Sequence, residues 1–373
     1  MQPRRILTIL GTRPEAIKLA PVILELQQRP QAFESRVCVT AQHRGMLDQA
    51  LSIFDIQPDI DLDIMTPGQT LAKLTARAIE RLDGVIAREA PDVVLVQGDT
   101  TTTFCGALAA YYQRTRVGHV EAGLRTGDKY APFPEEINRS LVTQVSDLHF
   151  APTAEARDRL LAAGVPPAHI HVTGNTVIDA LFWVREHVAS SSLEWPERLL
   201  DSLNGHRVVI VTGHRRESFG EDFNNICRAI REVAESFPDV AFVYPVHLNP
   251  NVRDPVTRIL AGHARIHLIE PLPYAHFVHL MNRAVAVLTD SGGVQEEAPS
   301  LGKPVLVMRR TTERPEGITA GSAQLVGVEQ AGIVNALSGL LQGERLGSGP
   351  VNPYGDGQAA RRIVDVLADS GRR

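Results

Sequence analysis

Short apolar runs alternate with helical patterns along the whole chain, and a polar, glycine-containing motif follows most of the runs. The runs fall at 6–10, 36–40, 92–97, 116–120, 148–151 and 170–172, with helical periodicity between them, as at 71–88 and 104–112. Runs this short, bounded by turn residues and separated by helices, read as strands of parallel sheets covered by helices on both faces. The pattern breaks at Ser190-Ser191-Ser192-Leu193-Glu194-Trp195-Pro196. It restarts with runs at 208–212, 240–244, 265–269, 285–289, 305–308 and 324–326. A chain of 373 residues has room for two domains of about 100–200 residues each. The expectation is therefore an α/β protein with two doubly wound halves and a last helix from 358 to 367.

The polar motifs sit where such sheets bind ligands, at the carboxyl ends of the strands. Two such rims facing each other would form one interdomain active-site cleft. Gly11-Thr12-Arg13-Pro14-Glu15-Ala16-Ile17-Lys18 turns from strand into helix. Pro14 suits a first helical position, and Arg13 and Lys18 stand near a helix N-terminus, which favours anions. Thr289-Asp290-Ser291-Gly292-Gly293-Val294-Gln295-Glu296-Glu297 repeats the design. Its Ser-Gly-Gly turn exposes backbone N–H groups to a phosphate, and Glu296 or Glu297, one turn inside, could accept ribose hydroxyls. His214, Arg215 and Arg216 at another strand end, and the cationic loop from Arg309 to Glu316, are further candidate phosphate contacts.

Three carboxylates complete the set. Asp99, before Thr100-Thr101-Thr102-Thr103, is either a reacting acid or the N-cap of the next helix. Glu121 follows the next strand. Glu135 opens a helix and is spaced i,i+4 from Arg139, so an ordinary helix ion pair is the alternative there.

Several classes are excluded. A net charge of −5 argues against a nucleic-acid surface, which needs a dense basic face. The three cysteines, Cys38, Cys105 and Cys227, form neither a disulfide framework nor a zinc motif, which suits a reducing cytoplasm. Met1 to Arg5 has the charge of a signal n-region, but the apolar run after it is shorter than the roughly 7–15 residues required. No stretch approaches the ~20 apolar residues of a membrane span. Neither His263/His267 nor His276/His279 has a third ligand beside it, so no metal is expected. There is no Walker A motif. The one match to G-x-G-x-x-G/A, at 355–360, follows no strand and lies in a Pro/Gly loop, which argues against a nicotinamide enzyme. No cofactor is expected.

Strung together, GTRPEAIKLAPV, TAQHRGMLDQ, QGDTTTT, HVEAGLRT, PEEINR, TGHRRESFG, LTDSGGVQEEAPSLGKPVLVMR and TTERPEG run in order from residue 11 to residue 317. In this the chain resembles the bacterial non-hydrolysing UDP-N-acetylglucosamine 2-epimerases. The resemblance implies two Rossmann-like domains of the GT-B type, 1–173 and 174–357, with the helix 358–373 crossing back onto the first. It also implies a cytoplasmic homodimer. Asp99, Glu121, Glu135 and His214 match catalytic residues. Arg13, Lys18, Ser291, Gly292, Gly293, Glu297 and Arg314 match substrate contacts, as do Asp99, Glu121 and His214. Phe277 matches an aromatic beside uracil; Leu272 stands where close relatives often carry Gln. Gln42, His43 and Arg44 match an activator site, although polar residues that assist there fall at Gly45 and Gly68.

The implied activity is interconversion of UDP-N-acetylglucosamine and UDP-N-acetylmannosamine. The C2 hydrogen is not beside a carbonyl, so direct abstraction is unfavourable. Elimination of UDP to a 2-acetamidoglucal, followed by re-addition, gives a route without a nicotinamide. It calls for acids on both sugar faces and positive charge at the departing pyrophosphate. It also calls for domain closure that shields the intermediate. A hydrolysing epimerase releasing UDP and N-acetylmannosamine, a GT-B glycosyltransferase and a non-catalytic nucleotide-sugar sensor are the rival expectations.

Overall fold

The computed structural model describes residues 2–40, 44–66, 68–346 and 352–369. The chain divides into two units, residues 1–184 with 354–373 and residues 185–353.

Unit 1 runs β1 (Arg4–Leu10), α1 (Arg13–Gln27), β2 (Phe33–Val39), α2 (Arg44–Ile53), β3 (Ile60–Asp61), α3 (Leu71–Glu89), β4 (Val93–Gln97), α4 (Thr101–Tyr112), β5 (Arg116–Val120), α5 (Glu135–Val145), β6 (Leu148–Ala151), α6 (Ala154–Ala162), β7 (Ile170–Val172) and α7 (Thr176–His187). Its seven parallel strands are ordered β3-β2-β1-β4-β5-β6-β7. Strand β4 (VVLVQ) is buried along its whole length. That is the signature of a strand covered on both faces, and it is why the sequence reads there as an apolar run rather than an alternation.

Unit 2 runs α8 (Leu199–Ser202), β8 (Arg207–Thr212), α9 (Glu221–Ser236), β9 (Val240–Pro245), α10 (Pro250–Leu260), β10 (Ile266–Ile269), α11 (Tyr274–Arg283), β11 (Ala286–Thr289), α12 (Gly292–Ser300), β12 (Val305–Val307), α13 (Pro315–Thr319), β13 (Ala323–Leu325) and α14 (Gln330–Leu341). Its six parallel strands are ordered β10-β9-β8-β11-β12-β13. A core of Val209, Val211, Phe223, Ile226, Phe242 and Leu288 lies under α9 and its neighbours. A final helix, α15 (Ala359–Asp369), belongs to unit 1. Among the described residues no helix is long and apolar enough to cross a membrane.

The two doubly wound α/β halves match expectation, with one strand, β3, added and the boundary moved. Strand β3 has two residues, too few to show a period. The expected division after 173, with 174–357 in the second half, separates α7 from the unit it packs in. Val177, Ile178, Leu181 and Val184 of α7 are buried, and Trp183 lies 4.9 Å from the Phe54 ring. Asn175 N donates to Tyr354 O at 2.6 Å. Asp179 accepts from Ala359 N at 3.2 Å and Ala360 N at 2.8 Å, capping α15. Burial pushes the Asp179 carboxyl up to about 6. A cap whose partners lie so far apart in sequence leaves no trace in local periodicity, so the expected boundary fell short.

Candidate active site

In each sheet the strand order reverses once, between β1 and β4 in unit 1 and between β8 and β11 in unit 2. Such switch points open a crevice at the carboxyl ends of the strands. The polar motifs of each unit gather there.

In unit 1, Gly11 follows β1 and has no room for a side chain, since a Cβ would strike the hydroxyls of Thr40 and Thr102. Pro14 lies in the first turn of α1, and Thr12 is its N-cap residue without a side-chain cap. The first N–H groups of α1 therefore stay available to an anion. Arg13 is half-buried, and its guanidinium has no hydrogen bond or ion pair among the described residues.

Lys18 points the other way. Its Nζ donates to Glu121 Oε2 at 2.5 Å, with side chains 17% and 4% exposed. Gln97 Nε2, at the end of β4, donates to the same oxygen. Glu121 sits directly after β5 with φ +63°. A left-handed non-glycine residue costs on the order of 1–3 kcal/mol, and such strain clusters at functional sites. Gly123 then takes φ +94°, where a Cβ would meet Ala156 O.

Asp99 is not the cap of α4. Thr100 is, its hydroxyl accepting from Thr103 N at 3.1 Å. The Asp99 carboxylate accepts instead from Arg139 Nη2, while Arg139 Nη1 lies 3.2 Å from Glu136. Asn138 Nδ2 donates to the Asp99 carbonyl at 2.9 Å. Arg139 therefore does not form the i,i+4 pair with Glu135. Glu135 heads α5 half-buried, with no side-chain partner among the described residues. Glu136 holds the preceding loop through Thr126 N and Gly127 N, both at 3.1 Å. Between the two acids, His119 is fully buried and donates Nε2–H to Gly98 O at 2.8 Å. Burial lowers its pKa to about 4, so the ring is neutral and its tautomer is set by that bond.

In unit 2, Asp290 follows β11 and is 1% exposed. Its Oδ2 accepts from His214 N at 2.7 Å and Arg215 N at 2.8 Å, while Oδ1 lies 3.4 Å from His214 Nδ1. The His214 ring stacks on His247 with centroids 5.6 Å apart. Its pKa is lowered, chiefly by desolvation and further by Arg215 and His247, with Asp290 acting the other way. Ser291 caps α12 without a side-chain bond, leaving the first N–H groups of Gly292 and Gly293 for a ligand. Around this turn the guanidinium groups are latticed with carboxylates. Arg215 reaches Glu313 at 3.1 Å. Arg309 bridges Glu313 and Glu217, and Arg314 holds Glu296. Glu297 accepts from Tyr274 Oη at 2.7 Å.

A family model described as UDP-N-acetylglucosamine 2-epimerase matches residues 24–368. The UDP-N-acetylglucosamine 2-epimerase of Yersinia pestis is 56% identical over 371 residues, covering 97% of this chain and 98% of its own. The chain belongs to the UDP-N-acetylglucosamine 2-epimerase family. Among solved structures of the family, the Neisseria meningitidis enzyme bound to UDP-GlcNAc aligns with TM-score 0.89 and 48% identity, over 97% of this chain and 99% of that one. The Methanocaldococcus jannaschii enzyme in complex with UDP-GlcNAc and UDP aligns with TM-score 0.80 and 33% identity, over 97% and 99%.

Against this family background, unit 1 brings Arg13, Lys18, Asp99 and Glu121 to the carboxyl ends of neighbouring strands, with Glu135 at the start of α5. Unit 2 brings His214 beside the Ser291–Gly293 turn, with Glu297 and Arg314 joined to the same helix or loop. Leu272 and Phe277 flank Tyr274 before and within α11, both half-buried. Gln42 and His43 lie outside the described residues, and Arg44 opens α2. His276 and His279 bond backbone carbonyls of Glu194 and Val188. Sequence alone passed over Gln97 and Glu136 in unit 1 and Glu313 in unit 2, and offered Arg139 only as a helix partner of Glu135. Gln97 carries a visible signal, because it is the one polar residue in the run 93–97.

Proposed function

We propose that this protein catalyses reversible C2 epimerisation of UDP-N-acetylglucosamine to UDP-N-acetylmannosamine without hydrolysis. The observation that carries the reading is the pair of carboxylates at adjacent strand ends, Asp99 after β4 and Glu121 after β5, each held by a cation or amide from another element. One acid takes the C2 proton as the bond from C1 to the phosphate oxygen breaks, leaving a 2-acetamidoglucal and UDP. A proton is then delivered to the opposite face of C2, the UDP oxygen re-forms its bond to C1, and C2 is inverted. Atoms and charge balance with no outside reagent.

Proton transfer by a placed carboxyl group contributes about 10²–10⁴-fold. Lys18 and Arg139 hold the acids at fixed geometry, and Glu135 supports them. The leaving diphosphate is stabilised by positive groups aimed at it. Arg13, the α1 and α12 N-termini, His214 and Arg314 fill that role. Phe277 and Leu272 flank the uracil, and Glu297 takes ribose hydroxyls. The relatives' complexes with UDP-GlcNAc and UDP support this ligand set. Gln42, His43 and Arg44 are proposed to hold an activating second nucleotide sugar, and the protein is proposed to work as a cytoplasmic homodimer.

The test is incubation with UDP-N-acetylglucosamine alone in deuterated water. UDP-N-acetylmannosamine should appear with deuterium at C2 of the product. Stoichiometric free UDP with N-acetylmannosamine would establish the hydrolysing reaction instead. A requirement for an acceptor would establish a glycosyltransferase, and binding without exchange a sensor.

A further inference from the structure

Glu15 lies in the first turn of α1 and is 1% exposed. Its Oε2 accepts from Gly11 N at 3.1 Å, within its own turn. Its Oε1 contacts Thr100 Oγ1 at 2.7 Å and Thr103 Oγ1 at 3.1 Å, both at the head of α4. It has no cation partner among the described residues, and Lys18, three residues on, pairs with Glu121 instead. An ionised carboxylate buried without a counter-charge is costly, and such groups neutralise instead.

The protons around it lead to the same state. Thr103 has one hydroxyl proton, and its 2.6 Å contact with Gln97 O uses it, because a carbonyl only accepts. The Thr100 proton is shared between the 2.7 Å contact with Glu15 and a 3.0 Å contact with Thr103 Oγ1. Two hydroxyl protons thus face four oxygen–oxygen contacts, and a proton on Glu15, given to Thr103 Oγ1 at 3.1 Å, relieves the shortage. Burial, the largest influence on this carboxyl, raises its pKa over the opposing bonds from Thr100, Thr12, Gly11 and Thr103.

Resting on the roles given above to Arg13 and Asp99, we propose that Glu15 is a positioning residue. As a neutral carboxyl it pins the β1–α1 turn that carries Arg13 to the β4–α4 turn that carries Asp99. Neutrality matters for function as well as for burial. Glu15 lies in the first turn of α1, and a negative charge there, though favoured by the helix dipole, would cancel part of the positive potential that the helix N-terminus and Arg13 offer to an incoming anion. The protonated form ties the phosphate-facing turn to the acid-bearing turn and leaves that field intact.

The test compares Glu15→Ala with Glu15→Gln in the full chain. Displacing a reacting group by about 1 Å costs roughly 10²-fold. Glu15→Ala should therefore lower kcat by about tenfold to hundredfold, through Asp99, and raise KM for UDP-N-acetylglucosamine, through Arg13. Glu15→Gln is neutral, can donate to Thr103 and accept from Gly11, and should recover most of both parameters. Infrared difference spectra at neutral pH should show a protonated-carboxyl band in the wild type that Glu15→Gln lacks. Wild-type kinetics in Glu15→Ala, a loss in Glu15→Gln equal to that in Glu15→Ala, or absence of the band would each overturn the proposal. Should Glu15→Ala not fold, the Gln variant and the band decide. The band is readable whatever the protein catalyses, so failure of the epimerase reading stays separate from failure of this one.

Discussion

The two switch points are built from the same parts and wired differently. At the unit 1 crevice each carboxylate is the object held. Glu121 takes Lys18 and Gln97 on one oxygen, and Asp99 takes one arm of Arg139. At the unit 2 crevice the guanidinium groups are held, with Arg215, Arg309 and Arg314 spread across Glu313, Glu217 and Glu296. A carboxylate held by groups from other elements has a fixed position from which to pass a proton. A lattice of arginines keeps a stiff positive surface beside the free N–H groups of a helix. On the function proposed above, this wiring gives the proton chemistry to unit 1 and the diphosphate to unit 2.

The sharpest way to break that division is to neutralise acids on each side. Asp99→Asn or Glu121→Gln should lower kcat by about 10³-fold with KM little changed, the loss expected of an acid–base group. Glu297→Gln, at a carboxylate that accepts from the Tyr274 hydroxyl, should mainly raise KM. Steady-state rates on UDP-N-acetylglucosamine check both. Near-normal kcat in Asp99→Asn, or a collapse of kcat in Glu297→Gln, would reverse the assignment.

A smaller effect falls on stability within unit 2. Arg309 has a side chain 8% exposed, bound to both Glu217 and Glu313. Removing one member of a buried charge cluster costs about 3–5 kcal/mol, because the partners are left unpaired. Arg309→Ala should lose about 1–2 kcal/mol in denaturant unfolding, below that range because Glu217 is 54% exposed and Arg215 still serves Glu313. Hydrogen exchange should place the loss in β11, α12 and β12, with β1, β4 and β5 as protected as before. An equal loss of protection in unit 1 would mean that the lattice is not local.

The contrast between the units also separates what local sequence could reveal from what it could not. The parallel sheets and their strand-end motifs were legible because a strand buried on both faces is an apolar run and a phosphate turn needs glycine. Asp99 and Glu135 were ambiguous because capping and i,i+4 pairing are local and equally plausible. The choice was made by Arg139 turning back forty residues to Asp99. The role of Glu15 was hidden for a similar reason, since its partners lie on α4. The Asp179 cap of α15, which moves the domain boundary, joins residues 181 positions apart. Contacts of this range follow from strand order, and no window along the sequence contains it.

Buried histidines supply the last test, again in unit 1. His119 and His149 are register partners on β5 and β6, 0% and 1% exposed. Burial lowers the pKa of His149 from 6.5 to about 4, helped by the neighbouring His119 and His169 and opposed by the bond to Ser146 and by Asp147. Between those two values the unfolded chain binds a proton that the folded chain refuses. Stability therefore falls as pH drops from about 6.5 to about 4, and the loss is complete below the folded value. Asp179, raised to about 6, works in the opposite sense over part of the same window, because its folded form holds the extra proton. Comparing wild type with His149→Gln cancels that contribution. Over the window the wild type should lose up to about 3 kcal/mol more than the variant, read as urea midpoints at successive pH values. Parallel curves would mean that folded His149 accepts the proton, and that the β5–β6 pairing beneath Glu121 tolerates a charge.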